Sequence, residues 1–331
     1  MHCSFFSSVG LCSEELLLKP AATQFNRPLH NFLVFTAGIT FLLLIAGALV
    51  TSNQAGLSVP DWPTTFGSLY RIPPMVGGVK FEHGHRMVAE FVGLLTIVLS
   101  IWTWRTEDRK WMRWLGIFAL LGVIAQGILG GLTVRMFLPW YISTAHAALA
   151  QTFFALLVVM AVFTNQSWVA NNAPALPETR RPTLLTLSVL SLAALYLQLF
   201  FGAAFRHGGM SFAPHFLNSI LVLTLLIWTS VRAMTETRVP AVRKAGRMVH
   251  ALLMLQVLLG IAAYFTRVRW GADAPQPLPS MVASTVAHVG VGALLLAFTF
   301  ILAIQSRRNL LPAGVPVASA QANSLHDEVT A

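Results

Sequence analysis

Charge and cysteine are both scarce in this chain of 331 residues. Only 10% of its residues are charged, whereas 56% are hydrophobic, and the mean hydropathy is +0.68. A soluble domain of this length does not need so much apolar surface, so that class is excluded. The two cysteines, Cys3 and Cys12, lie in the N-terminal tail, which leaves no disulfide for the later segments.

Long hydrophobic runs dominate what is present. Eight of them reach the 18 or so residues that can cross roughly 30 Å of hydrocarbon, and inside lipid such a run must be helical. The predicted spans are about 31–52, 84–104, 114–134, 143–163, 183–204, 214–233, 247–266 and 281–304. We therefore expect an all-α polytopic membrane protein.

The basic residues are distributed unevenly between the two faces that eight spans create. Fifteen of the 22 lysines and arginines lie in the termini and the loops of the same face, and seven lie in the other loops. The positive-inside rule then places both termini in the cytoplasm, with the protein in the plasma membrane. The net charge of +10 accordingly indicates topology and attraction to membrane lipid, not nucleic-acid binding.

Internal similarity divides the chain into two halves. The run from Gln126 to Arg135 resembles the run from Gln256 to Arg267, and a Ser-Thr pair precedes a histidine after each of them. Such a repeat predicts two pseudo-twofold-related four-helix bundles, with a site in the core of each. The predicted parts are a cytoplasmic extension (1–29), a first half (30–164), a cytoplasmic linker (165–182), a second half (183–305) and a disordered cytoplasmic tail (306–331).

Four histidines lie near the outer ends of alternate predicted helices, two in each half: His85, His146, His215 and His288. One histidine from each of two neighbouring helices is what bis-imidazole ligation of haem iron requires. A lone intramembrane histidine would more simply form an interhelical hydrogen bond, and a zinc or copper cluster would need three or four converging ligands. The repeated pairs favour two haems.

Arginines at the same outer ends could bind the haem propionates, or could serve as ordinary interfacial anchors. These arginines are Arg86, Arg135, Arg206 and Arg267. His207, beside Arg206, either contacts a propionate or faces water.

Glu82 breaks the symmetry between the halves. It lies three residues before His85 and follows a long loop, whereas the second half has Phe212 at the corresponding position and a short loop. A carboxylate at the edge of a low-dielectric site can act as a general acid or base. The alternative is a carboxylate that merely stabilises a helix N-terminus. Its place beside His85 and beneath the long loop favours function in the first half.

These residues resemble the haem A synthase family. The resemblance rests on the run from Gly56 to Pro63 that contains Pro-Asp-Trp-Pro, on Glu82-x-x-His85-Arg86, and on the motifs around Gln126 and Arg206. It implies an eight-helix enzyme, an oxidoreductase that converts the C8 methyl of haem O to a formyl group through a hydroxymethyl intermediate. It also implies haem O synthase and cytochrome oxidase assembly factors as partners, and leaves homo-oligomerisation open.

The resemblance further implies a role for each site residue. Glu82 would be the catalytic acidic residue, and His85 and His146 would be the axial ligands of the substrate haem. His215 and His288 would ligate a permanent haem b cofactor.

The sequence departs from the family pattern in two loops. Many members carry a cysteine pair in the first outer loop, where this chain has Val59 and Thr65. The second outer loop is short, which leaves open whether His207 replaces His215 as a ligand. We favour His215 because it opens a helix. Two rival functions also fit four histidines: a di-haem b electron-transfer cytochrome without haem-modifying activity, and a haem transporter or assembly factor.

Overall fold

A computed structural model describes residues 25–170 and 176–312, and the contacts below concern these residues. The cysteines and nearly all of the predicted N-terminal extension lie outside them, as does the tail from residue 313 onward. Within them, eight helices are long and apolar enough to cross a membrane, which confirms the predicted all-α polytopic class. The chain is a multi-pass membrane protein.

The helices and strands are numbered in chain order. The helices are α1 Arg27–Ser52, α2 Val79–Thr106, α3 Lys110–Arg135, α4 Trp140–Thr164, the short α5 Gln166–Val169, α6 Leu184–Arg206, α7 Phe212–Thr235, α8 Pro240–Ala263, continued by a π-helical segment Tyr264–Arg269, and α9 Pro279–Asn309. Two short strands, β1 Leu176–Glu178 and β2 Leu310–Pro312, pair in parallel.

Local sequence explains where several helices begin. The Asn26 side chain accepts a hydrogen bond from the Leu29 N–H at 3.0 Å, and Thr183 caps α6 in the same way through Thr186. Proline in the first turn of α1, α8 and α9 fits because its missing N–H is not needed there.

The helices pack as two four-membered rings. In the first, α1, α2, α3 and α4 contact one another in order and α4 returns to α1; in the second, α6 to α9 do the same. The rings meet where α1 contacts α9, α4 contacts α6, and α4 contacts α9. This set of contacts is unchanged when α1 to α4 are exchanged with α6 to α9, as a pseudo-twofold axis requires.

The two faces of the bundle differ in packing. We call the face that carries residues 107–109, 165–170 and 176–183 the terminal face, and the one that carries the 53–78, 136–139 and 207–211 connections the loop face. Large buried side chains cluster toward the terminal face, as Leu29, Leu33 and Met112 do in the first ring. The four candidate ligand histidines lie toward the loop face, so the densely packed core holds the helices together on the other side of the predicted sites.

Two predicted boundaries are wrong. Helix α2 begins at Val79 and not near residue 84, so Glu82 lies inside its first turn. Helix α9 continues to Asn309, and β2 then pairs with β1, so the tail does not begin at residue 306. In both cases the helix ends in polar residues, which a search for apolar runs does not detect. The segment after α9 is ordered because β2 pairs with β1 of the predicted linker.

We predict that Leu157→Ala destabilises the protein, because Leu157 is fully buried and the smaller side chain leaves a cavity. The expected loss is about 2 kcal/mol or more, visible as a lower thermal midpoint in detergent. Leu42→Ala is the control, since Leu42 is 57% exposed on the lipid-facing side of α1. Equal midpoints for the two variants would contradict the assigned core.

Candidate functional site

Each of the four histidines lies against a glycine of the preceding helix. A Cβ atom at that glycine would come within about van der Waals contact of the imidazole or closer, so only glycine lets the ring lie directly on the helix backbone. The pairs, with the distance from such a Cβ to the histidine Cε1, are Gly47–His85 (3.1 Å), Gly130–His146 (3.2 Å), Gly202–His215 (2.8 Å) and Gly260–His288 (3.1 Å).

Within each ring of four helices, the two histidines also lie near each other. The ring centroids of His215 and His288 are 6.3 Å apart, with the planes at 80°. His85 and His146 are electrostatic neighbours in the other ring of helices. Two metal–nitrogen bonds of about 2 Å, with the distance from each nitrogen to its ring centre added, come close to this 6.3 Å separation, so the pair leaves room for one iron between its rings. The donor set fits a haem.

The structure distinguishes His207 from His215. His215 lies in the first turn of α7 and faces His288, whereas His207 follows the end of α6 and is an electrostatic neighbour of His146 in the other half. Burial, followed by the charges of Arg206, His146 and Arg267, lowers the pKa of His207 to about 4. His207 is therefore neutral near pH 7 and lies at the boundary between the two halves.

Glutamines adjoin three of the histidines, a feature that the sequence analysis gave no role. Each occupies the position four residues before the contacted glycine. Gln126 Nε2 donates to the His146 carbonyl at 3.0 Å, Gln198 Nε2 donates to the His215 carbonyl at 3.0 Å, and Gln256 Nε2 lies 3.4 Å from His288 Nε2. The signal in the sequence was the thrice-repeated Gln-x-x-x-Gly.

Arginines from both halves collect near the loop face. Arg206 Nη2 donates to the Ala48 carbonyl at 3.0 Å and to Ser52 Oγ at 2.7 Å, and so crosses from α6 to α1. Its electrostatic neighbour is Arg267, in the π-helical segment. Among the described residues no carboxylate pairs with either of them. Two neighbouring, largely buried cations without a counter-ion favour an anionic group in this place.

Glu82 is only 4% exposed and holds the long loop. Its Oε2 accepts the Val59 N–H at 2.8 Å, and its Oε1 accepts Arg86 Nη2 at 2.7 Å. Arg86 in turn donates to the carbonyls of Val59, Asp61 and Thr64 at 2.8 to 3.1 Å. The pair thus fastens residues 59–67, which we call the lid segment, to α2.

The lid segment also has its own internal order. The Asp61 carboxylate accepts hydrogen bonds from Thr64 Oγ1 and from the N–H groups of Phe66 and Gly67. Partial burial opposes the effect of these bonds, yet they lower the pKa of Asp61 below its usual value. The long loop is therefore ordered by its own hydrogen bonds as well as by its contacts with α2.

Trp62 joins the lid segment to α3. A Cβ atom at Gly131 would lie 2.5 Å from the Trp62 ring, so the indole lies flat on the helix there. Gly131 is the neighbour of Gly130, on which His146 rests. The lid segment therefore adjoins the helix that supports His146, and Glu82 and Arg86 tie it to α2, the helix that carries His85.

The second half has no comparable cover. Phe212, in the place of Glu82, packs against His215 and Tyr264 at centroid distances of 6.2 and 5.2 Å. The connection 207–211 is short, and its Gly209 lies beneath Trp140 of the first half. Aromatic side chains therefore occupy the place in the second half that corresponds to the carboxylate of Glu82 in the first.

We predict that Gly131→Ala releases the lid segment, because the added methyl group displaces the Trp62 indole. Trypsin should then cleave the loop after Arg71, an exposed residue, several times faster than in the parent protein. Gly127→Ala is the control on the same helix, since a Cβ atom there meets nothing within 4 Å. Unchanged cleavage in Gly131→Ala would refute the anchoring role of Trp62.

Comparison with known proteins agrees with this arrangement. The family model described as "Cytochrome oxidase assembly protein" matches residues 79–214, which include Glu82, His85, His146 and Arg206. "Heme A synthase" of Shouchella clausii is 27% identical over 273 residues, 73% of this chain and 88% of that protein. The protein of the same name from Rhizorhabdus wittichii is 26% identical, over 86% of this chain and 95% of its own length.

A third relative is more similar over a shorter stretch. "Heme A synthase" of Lysinibacillus sphaericus is 33% identical over 190 residues, 56% of this chain and 60% of that protein. The family model spans Glu82, His85 and His146, and the chain is similar over most of its length to proteins named "Heme A synthase".

Proposed function

We propose that this membrane enzyme of haem A biosynthesis oxidises the C8 methyl of haem O to a formyl group. One observation carries the proposal: among residues 25–170 and 176–312, only the first half places a buried carboxylate, Glu82, one helical turn from one of the four histidines and beneath an ordered loop. Two two-electron oxidations would convert the methyl to an alcohol and then to the hydrated aldehyde. Each adds one oxygen atom from water and releases two protons, and the electrons pass to an external acceptor. The hydrated aldehyde then loses water to give the formyl group.

The two histidine pairs have different roles in this proposal, one in each half. In this proposal His85 and His146 hold the substrate haem, while His215 and His288 hold a resident haem b. When bound, haem b supplies a path for the electrons that leave the substrate. The chain itself binds and orients both groups, keeps the aromatic side chain of Phe212 beside one of them, and places an acid/base group at the other.

Glu82 has two tasks in this scheme. Its carboxylate is the acid/base that handles the protons released from the methyl group. Its hydrogen bonds to Val59 and Arg86 also keep the lid segment in place, which limits the access of water to the reacting edge. A substitution that keeps the shape of the side chain can separate the two tasks.

The arginines near the loop face are proposed to bind the haem propionates. Arg206 and Arg267 lie side by side without an acidic partner among the described residues, and Arg135 has the corresponding place on α3. Arg86 remains a proposed contact, although four of its hydrogen bonds go to the lid segment and Glu82. Charge-assisted pairs of this kind orient a carboxylate strongly.

The proposed setting follows from topology. The protein would lie in the plasma membrane with both termini in the cytoplasm, so the sites are near the outer leaflet. It would receive haem O from haem O synthase and pass haem A to cytochrome oxidase assembly factors.

We predict that Glu82→Gln lowers haem A formation by about a hundredfold or more, because the amide cannot exchange the proton. Bound haem should remain near the parent level, since the amide oxygen still accepts the Val59 N–H. The measurement is extraction and chromatography of haems after co-expression with a haem O source. Glu90→Gln, an exposed carboxylate on the same helix, is the control.

Full haem A formation in Glu82→Gln would remove Glu82 from the chemistry. Haem b alone in the parent protein, under the same co-expression, would instead favour the di-haem electron carrier.

We predict that Arg267→Gln weakens haem binding by about tenfold, the effect of losing one charge-assisted hydrogen bond. Haem titration of the purified protein, followed by absorbance, measures the change. Arg269→Gln is the control, because Arg269 is exposed at the end of the same π-helical segment. Identical affinities for both variants would argue against a propionate contact at Arg267.

A further inference from the structure

One position distinguishes His85 from the other three histidines. The residue four positions before the contacted glycine is glutamine in three helices and leucine in α1. The four sets are Gln126–Gly130–His146, Gln198–Gly202–His215, Gln256–Gly260–His288 and Leu43–Gly47–His85.

The glutamine contacts in the second half are well organised. Gln198 Nε2 donates to the His215 carbonyl and lies 3.3 Å from its Nε2, while Asn218 Nδ2 donates to Gln198 Oε1 at 2.8 Å. His215 Nδ1 also lies 3.3 Å from the Gln198 carbonyl. The carbonyl contact fixes the backbone of His215, and the contact of Nδ1 with the Gln198 main chain orients the ring, as polar groups behind a metal ligand usually do.

The other two glutamines hold their histidines through fewer contacts. Gln126 binds the main chain of His146, in the first turns of α4. Gln256 reaches the imidazole of His288 and packs on Gly292 of the same helix. In both cases an amide side chain joins the ligand to the neighbouring helix.

His85 has no such support. Its ring adjoins the main chain of Leu43, a contact that the other three histidines also make with the main chain of their glutamines. The Leu43 side chain, unlike those glutamines, has no donor or acceptor to offer. The main chain of Leu43 and packing on Gly47 are therefore what orient this imidazole.

We propose that Leu43 makes His85 the weakly held ligand of the first-half haem, so that this haem can enter and leave while the second-half haem stays. The inference rests on the proposed function, in which one haem is substrate and product and the other is a cofactor. It adds a positioning residue, Leu43, that sets how long the exchangeable haem remains bound.

The test is Leu43→Gln, which restores the missing amide. We expect the fast-leaving fraction of bound haem to depart about fivefold more slowly, the effect of one ordinary hydrogen bond. The measurement is haem transfer from the purified protein to excess apomyoglobin, followed by absorbance. The control is Leu43→Met, which has similar volume and lacks an amide.

A reciprocal variant keeps the test decisive if Leu43→Gln does not fold. Gln126→Leu should speed the loss of the same haem, and Gln198→Leu should create fast loss from the second half. The low-spin absorption of bound haem should weaken in both. Equal transfer rates for Leu43→Gln and Leu43→Met, or parental rates for both glutamine variants, would overturn the proposal.

The proposal about Leu43 and the proposed function can fail independently of each other. Transfer rates concern bound haem of any kind, whereas the proposed function is judged by whether haem A appears. Altered exchange without haem A would keep the role of Leu43 and reject the chemistry; haem A with unaltered exchange would do the reverse.

Discussion

The close contact between an imidazole and a helix backbone is the constraint on which this structure depends. Four times, a histidine lies on a glycine of the preceding helix, and any larger residue would push the ring away. Helices that approach so closely need support elsewhere, and the buried leucines toward the terminal face supply it. The bundle therefore carries its large buried side chains toward the terminal face and its four histidine–glycine contacts toward the loop face.

The two halves share their helix packing but differ in the residues added around the first histidine pair. Helix contacts and histidine–glycine pairs repeat in both halves, whereas Glu82, Arg86 and the lid segment occur in the first alone. A duplicated unit supplies two equivalent binding positions at once. Specific chemistry then needs only local changes at one of them, and these changes lie in the loop and the first turns of α2.

Much of this arrangement could be predicted from the sequence, because hydropathy indicates the membrane spans and repetition indicates the candidate ligands. The start of α2 could not, since Lys80 and Glu82 interrupt the apolar run that hydropathy detects. The hydrogen bonds from Arg86 to three carbonyls could not be predicted either, because they depend on the conformation of an irregular loop, and such a loop has no repeating sequence pattern. The glutamines were visible as a repeat, but only the contacts with the histidines gave them a role.

Arg206 has a consequence for how such a chain could arise. It reaches from the second half to the main chain of α1, while Thr51 stands at the equivalent place in the first half and bonds within its own helix. Two identical four-helix subunits about a true twofold axis would make this contact twice or not at all. A single copy of the contact therefore requires two halves of different sequence, and this chain carries both of them.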